Sequence, residues 1–142
     1  MIILDTDVLS ALMDNVPEQA VVQWLDRQPA ESIWITTVTL FEVHLGIGKL
    51  PAGRRRSDLQ SSFVKLLEEF LENRVLDFDS AAAVEAAALA AVREHKGRPV
   101  DVRDTFIAGI ALARRATLAT RNVRHFKDLS VPVVDPWHAG RA

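Results

Sequence analysis

The sequence predicts a three-layer α/β/α domain with a central parallel sheet of four to five strands. Two observations lead there. Short apolar runs rich in β-branched residues recur at Ile2–Leu4, Ile33–Thr37, Val75–Phe78, Thr117–Thr120 and Val131–Val134, each suited to a buried strand. Stretches with helical spacing separate the first four, and strands alternating with helices imply βαβ crossovers and a parallel sheet covered on both faces.

The elements between the runs follow from their spacing. Val21, Val22, Trp24 and Leu25 make one face of a helix that ends before Pro29. The segment Gly46–Arg56 holds three glycines, a proline and three consecutive arginines, and it reads as a loop between two helices of one layer. Leu59, Phe63, Leu66, Leu67, Phe70 and Leu71 then keep helical spacing, with Glu68, Glu69 and Glu72 turned outward. The Ala-rich tract Ala81–Val92 is a strong helix former, and Phe106, Ile107, Ile110, Ala111 and Ala113 continue a last apolar stripe. Trp24 and Trp34 are expected in the core, and Trp137 against the body or a partner.

Residues 1–142 fit one domain, long enough to bury roughly two-thirds of the surface its unfolded chain exposes. With 49% apolar and 25% charged residues, the balance is globular and excludes disorder. The absence of cysteine excludes disulfides and thiolate metal sites. Met1-Ile2-Ile3-Leu4 is too short for a signal-peptide core, and no apolar stretch approaches bilayer length. A cytoplasmic protein without membrane contact is the expectation.

The net charge of −2 conceals an asymmetry. Residues 1–53 carry seven acids and two bases, whereas residues 93–127 carry nine bases and three acids. Blocks of unlike sign suit an acidic pocket beside a basic rim, as an enzyme acting on a polyanion with metal ions requires.

Acids gather where the strands are expected to end. Parallel strands expose their carboxyl ends in a crevice that binds ligands. Asp5, Thr6 and Asp7 follow the first run, Glu42 follows the second within the next helix, and Thr120, Arg121 and Asn122 close the fourth. Asp101 and Asp104 open the helix before it, three residues apart on one face. A carboxylate directly after Ile-Ile-Leu is costly unless paired, capped or bound to metal. Asp5 is therefore read as the functional acid, and Asp7, one step deeper, as the helix cap. Two carboxylates about 4 Å apart repel by roughly 4 kcal/mol at an effective dielectric near 20, so a cluster holds a proton or recruits a cation. With no cysteine and no histidine pair at ligand spacing, all-oxygen ligation points to Mg²⁺ or Mn²⁺.

These residues resemble the PIN-domain ribonucleases, and most closely the VapC-type toxins of type II toxin–antitoxin pairs. The resemblance rests on Ile3-Leu4-Asp5-Thr6-Asp7-Val8-Leu9-Ser10, on Thr36-Thr37-Val38-Thr39-Leu40-Phe41-Glu42-Val43 with Leu45-Gly46, on Asp104-Thr105-Phe106-Ile107-Ala108 and on Leu118-Ala119-Thr120-Arg121-Asn122, with Val133-Val134-Asp135-Pro136-Trp137 closing the chain. It implies Asp5 and Asp104 as metal ligands, with Glu42 completing an acidic triad. Asn122 stands where many relatives place a fourth acid, and His125 where others carry an aspartate. Thr6, Thr120 and Arg121 would contact substrate along the rim. The implied activity is Mg²⁺- or Mn²⁺-dependent hydrolysis of an RNA phosphodiester. The implied partners are a second copy of the chain and a small VapB-like antitoxin, through which alone DNA is met.

Two other readings compete. Ile3-Leu4-Asp5-Thr6-Asp7-Val8 is similar to the nucleophile loop of haloacid-dehalogenase-type phosphatases, with Asp101 and Asp104 as a late metal pair. Glu42 has no place in that scheme. A PIN-like binding module without catalysis is the other alternative, favoured by Asn122 and His125 and opposed by the retained acids. His44, His95 and His138 carry no assigned role. Arg54-Arg55-Arg56 is read as solvated loop.

Overall fold

The structure, a computed structural model, describes residues 1–139. The strands are β1 (Ile2–Leu4), β2 (Ile33–Thr36), β3 (Val75–Leu76), β4 (Thr117–Ala119) and β5 (Val133–Val134). The helices are α1 (Thr6–Met13), α2 (Gln19–Asp26), α3 (Thr37–Gly48), α4 (Arg54–Lys65), α5 (Ser80–His95) and α6 (Val102–Arg114). The strands form one parallel sheet in the order β3-β2-β1-β4-β5. β1 sits at its centre, with Ile2 opposite Ile33 on one side and Thr117 on the other.

Successive side chains of a strand face opposite sides, so the sheet divides the core in two. Leu4, Ile33, Ile35 and Ala119 join Val8, Leu9, Val21, Trp24, Val43, Ile47 and Phe63 beneath α1–α4. Ile3, Leu76 and Leu118 join Ala82, Ile107, Ile110 and Phe126 beneath α5 and α6. Three layers result, as the sequence predicts. Trp24 is buried, while Trp34 is half-buried against the second core.

The structure corrects the predicted boundaries in three places. Gly46 and Gly48 complete α3, and Arg54–Arg56 begin α4, so the loop shrinks to residues 49–53. Helix packing outweighs the low propensity of two glycines on a partly exposed face. The stripe from Leu59 to Leu71 is not one uniform helix. After α4 a single wide turn spans Leu66–Phe70, closed by the Leu71 amide on the Leu66 carbonyl at 2.9 Å. The third run ends early because the Phe78 amide donates to the Thr37 hydroxyl at 3.1 Å rather than to a strand.

Gly109 of α6 lies against α5 more closely than any side chain allows. A Cβ there would stand 2.5 Å from the Ala82 carbonyl oxygen and 2.7 Å from the Ala86 Cβ. Gly109→Ala is therefore expected to destabilise the domain by about 1–3 kcal/mol, outweighing the helix-propensity gain of about 1 kcal/mol. Urea unfolding measures it, and an unchanged or raised midpoint would contradict the close approach.

Candidate active site

The strand order reverses direction at β1 and β4, and the crevice beyond their carboxyl ends is where an open parallel sheet binds ligands. Asp5 stands in that crevice. The chain passes from Leu4 into α1 with no intervening loop, so Asp5 becomes the N-cap, its Oδ1 accepting from the Thr6 amide at 2.8 Å. Its Oδ2 accepts from the Thr120 hydroxyl, just past β4, at 2.7 Å. The Thr120 oxygen also accepts from the Asn122 amide at 3.0 Å. Asp5 is 4% exposed.

Three further acids surround it. Asp7 turns toward the segment after β4, where its Oδ2 accepts from the Arg121 amide at 3.1 Å and from the Asn122 side-chain amide at 3.4 Å. Its other oxygen, Oδ1, is buried with no hydrogen-bond partner among the described residues. Glu42 arrives on α3, which Thr36 caps by accepting from the Thr39 amide at 3.1 Å. Its Oε1 accepts from the Thr6 hydroxyl at 2.8 Å. Thr6 thereby spends its only hydrogen, so Thr39, 2.9 Å away, donates to Thr6. The Arg103 guanidinium lies 3.8 Å from Glu42 Oε2. Asp104, in the first turn of α6, has Oδ2 2.9 Å from Nδ1 of His125.

Electrostatics couple the acids of this group through mutual repulsion. Burial first, and then the neighbouring charge of Asp7, push the Asp5 pKa up to about 7, with Asp104 adding to the rise. Burial likewise raises Asp7, and Asp104 contributes in the same direction. Among the described residues no Lys or Arg side chain forms an ion pair with Asp5 or Asp7. A bare buried oxygen on Asp7 and an all-oxygen donor set fit a hard divalent cation. The fit is one of charge and donor type. Among the described residues no three acids or histidines enclose a point as a finished cage, since Asp104 is turned to His125 and Glu42 to Thr6 and Arg103.

Comparison with known proteins identifies the family. The PIN domain family matches residues 2–131. The chain belongs to the PIN-domain family. The plasmid stability protein StbB of Pseudomonas syringae pv. tomato is 37% identical over 139 residues, covering 98% of this chain and 100% of the relative. The VapC ribonuclease Y4jK of Sinorhizobium fredii is 34% identical over 96% of this chain and 98% of its own length. The solved structure of FitAB bound to an IR36 DNA fragment superposes with a TM-score of 0.88 at 30% identity, covering 97% of this chain and 96% of that one.

Within the PIN fold the residues singled out in the sequence fall into place unequally. Asp5, Thr6, Glu42, Thr120 and Asn122 belong to one bonded network, and Asp104 acts on Asp5 through its charge. The assignment of the cap is reversed: Asp5 caps α1, and Asp7 is drawn instead to Arg121 and Asn122. Thr120 does not line the rim. It is fully buried, because its hydroxyl is committed to Asp5. Arg121 does reach the rim, its guanidinium 4.9 Å above the Trp137 ring. Asp101 caps α6, its Oδ1 accepting from the Arg103 amide at 2.8 Å and lying 3.7 Å from Nε of the same arginine.

Arg93 was not anticipated. It is 3% exposed and bonds Asp128, Thr105 and the His125 carbonyl. The sequence held a signal, since Ala82, Ala86 and Arg93 recur at helical spacing and the stripe continues with a charge.

A carboxyl whose folded pKa lies above its unfolded value binds extra protons in the native state, so stability falls as pH rises between the two values. For Asp5 that window runs from 3.8 to about 7. In EDTA, wild type is expected to lose stability, on the order of a few kcal/mol, between pH 5 and pH 8. Asp5→Asn is expected to flatten that slope and to be the more stable protein at pH 8. Denaturant midpoints at both pH values decide it, and an equally steep decline in the variant would contradict the buried charge.

Proposed function

We propose that this PIN-domain protein is a Mg²⁺- or Mn²⁺-dependent endoribonuclease, the toxin of a toxin–antitoxin pair. The observation that carries the reading is the buried Asp5 carboxylate, which feels the charges of Asp7 and Asp104 and has no Lys or Arg ion-pair partner among the described residues. Asp5 and Asp104 would hold the ion, Glu42 would complete the acidic triad, and Asn122 would occupy the fourth position. When bound, such an ion offsets phosphodiester charge and acidifies the attacking water. The rest falls to side chains already placed. Thr120 and the Thr6 amide fix both oxygens of Asp5, so its carboxylate cannot swing away when substrate arrives. Thr6 holds Glu42, and Thr39 in turn holds Thr6. Arg121 on the rim and Arg103 beside Glu42 supply guanidinium forks suited to phosphate.

The relatives named VapC ribonuclease and the FitAB assembly on DNA support an RNA substrate and a small antitoxin that carries the DNA contact. A homodimer in the cytoplasm belongs to the same proposal. Among the described residues no helix is long and apolar enough to cross a membrane.

Asp5→Asn and Asp104→Asn are each expected to lower Mg²⁺-dependent cleavage of bulk RNA by more than about 100-fold while the proteins stay folded. Circular dichroism checks the fold, and full activity in both variants would overturn the assignment. An inactive binding module is separated by Mn²⁺ alone. At 100 times its Kd the ion should stabilise wild type by about 2.7 kcal/mol, and a dead scaffold should gain almost nothing.

A further inference from the structure

We propose that Arg93 and His125 form a positioning relay that aims the Asp104 carboxylate, an inference that rests on the divalent-ion reading above. Arg93 extends from the buried stripe of α5, and its guanidinium is almost fully withdrawn from water. Nε and Nη2 donate to the two Asp128 oxygens, each at 2.9 Å. Nη1 donates to the Thr105 hydroxyl at 3.2 Å, and Nη2 also donates to the His125 carbonyl at 2.7 Å. A buried guanidinium with four of its five N–H donors engaged holds its partners in one geometry.

Those partners frame Asp104. Thr105 is its immediate neighbour on α6, and His125 lies in the short turn Val123–His125 after β4. Arg93 thus fixes the backbone of His125 relative to the first turn of α6. The ring completes the link, with Nδ1 2.9 Å from Asp104 Oδ2. An ionised carboxylate only accepts, so Nδ1 carries the hydrogen. One oxygen of Asp104 is held by the ring, and the other stays free of that bond. Partners that orient a metal-ligating carboxylate commonly govern metal affinity by 10–100-fold. An arginine that merely stapled α5 to its surroundings would instead change stability without touching the imidazole.

The test uses the whole protein with ¹⁵N-labelled histidine. Long-range ¹H–¹⁵N spectra in EDTA at pH 8.5 read which ring nitrogen of His125 is protonated, and Mn²⁺ titration followed by electron paramagnetic resonance reads affinity. Wild type should show a protonated Nδ1. Arg93→Lys should lose that signature and bind Mn²⁺ about 10-fold more weakly or worse. Asp128→Asn keeps a neutral acceptor for Arg93, so it should lower stability yet preserve both the signature and the affinity. A retained signature and wild-type Mn²⁺ affinity in Arg93→Lys would overturn the relay. Should that variant fail to fold, His125→Ala decides, because the side chain is half-exposed. It should weaken Mn²⁺ binding about 10-fold with an unchanged unfolding midpoint, and wild-type affinity would overturn the proposal. Wild type that takes up no Mn²⁺ would sink the divalent-ion reading and the relay with it, whereas tight binding indifferent to all three variants sinks the relay alone.

Discussion

A carboxylate at the reversal point of the sheet, nearly out of reach of water, constrains everything built around it. Asp5 cannot be solvated, because β1 is the central strand and α1 begins without a loop. Burying a lone charge is costly unless hydrogen bonds or a counter-ion offset it. Hydrogen bonds offset part of that cost here, through the Thr6 amide and the Thr120 hydroxyl. The neighbouring acids then increase it, and the rise of Asp5 to about 7 expresses the balance. A fold that aims further acids at an already reluctant one stores electrostatic strain that a small hard cation would relieve.

The threonines explain how such a cluster survives without metal. Thr6 and Thr120 act as short, uncharged spacers, the Thr6 hydroxyl joining Glu42 to the Thr39 hydroxyl and the Thr120 hydroxyl joining Asp5 to the Asn122 amide. Positive charge is unevenly placed. Arg103 pairs with Glu42 at 3.8 Å, Arg121 rests on Trp137 and acts on Asp7 only through its charge, and among the described residues no Lys or Arg pairs with Asp5. Guanidinium groups beside the crevice are suited to meeting a polyanion. The charge asymmetry of the sequence thereby becomes a spatial one, with acids in the crevice and bases around it.

Much of this was legible in the residues, for identifiable reasons. Five strands and three layers follow from apolar runs separated by helical stretches, because burial on both faces leaves no other pattern. Asp5 and Asn122 stand out as polar residues closing apolar runs, and Glu42 and Asp104 as acids in the opening turns of helices. What escaped depends on contacts between distant segments. Nothing local told that Thr120 would turn inward to Asp5, 115 positions away, or that Asp5 and Asp7 would exchange roles at the start of α1. The arginine-rich segment became helix because α4 packs through Phe63, a tertiary effect that local composition does not contain. Arg93 was half-visible, as a charge continuing an apolar stripe, but its partners lie 12 to 35 positions onward.

The account stands or falls on where a divalent ion binds. Crystals of the wild-type protein grown with Mn²⁺ and measured for anomalous scattering locate it directly. A peak within bonding distance of carboxylate oxygens of both Asp5 and Asp104 is the predicted result. Strong Mn²⁺ peaks elsewhere, with an empty crevice at those two residues, would contradict it.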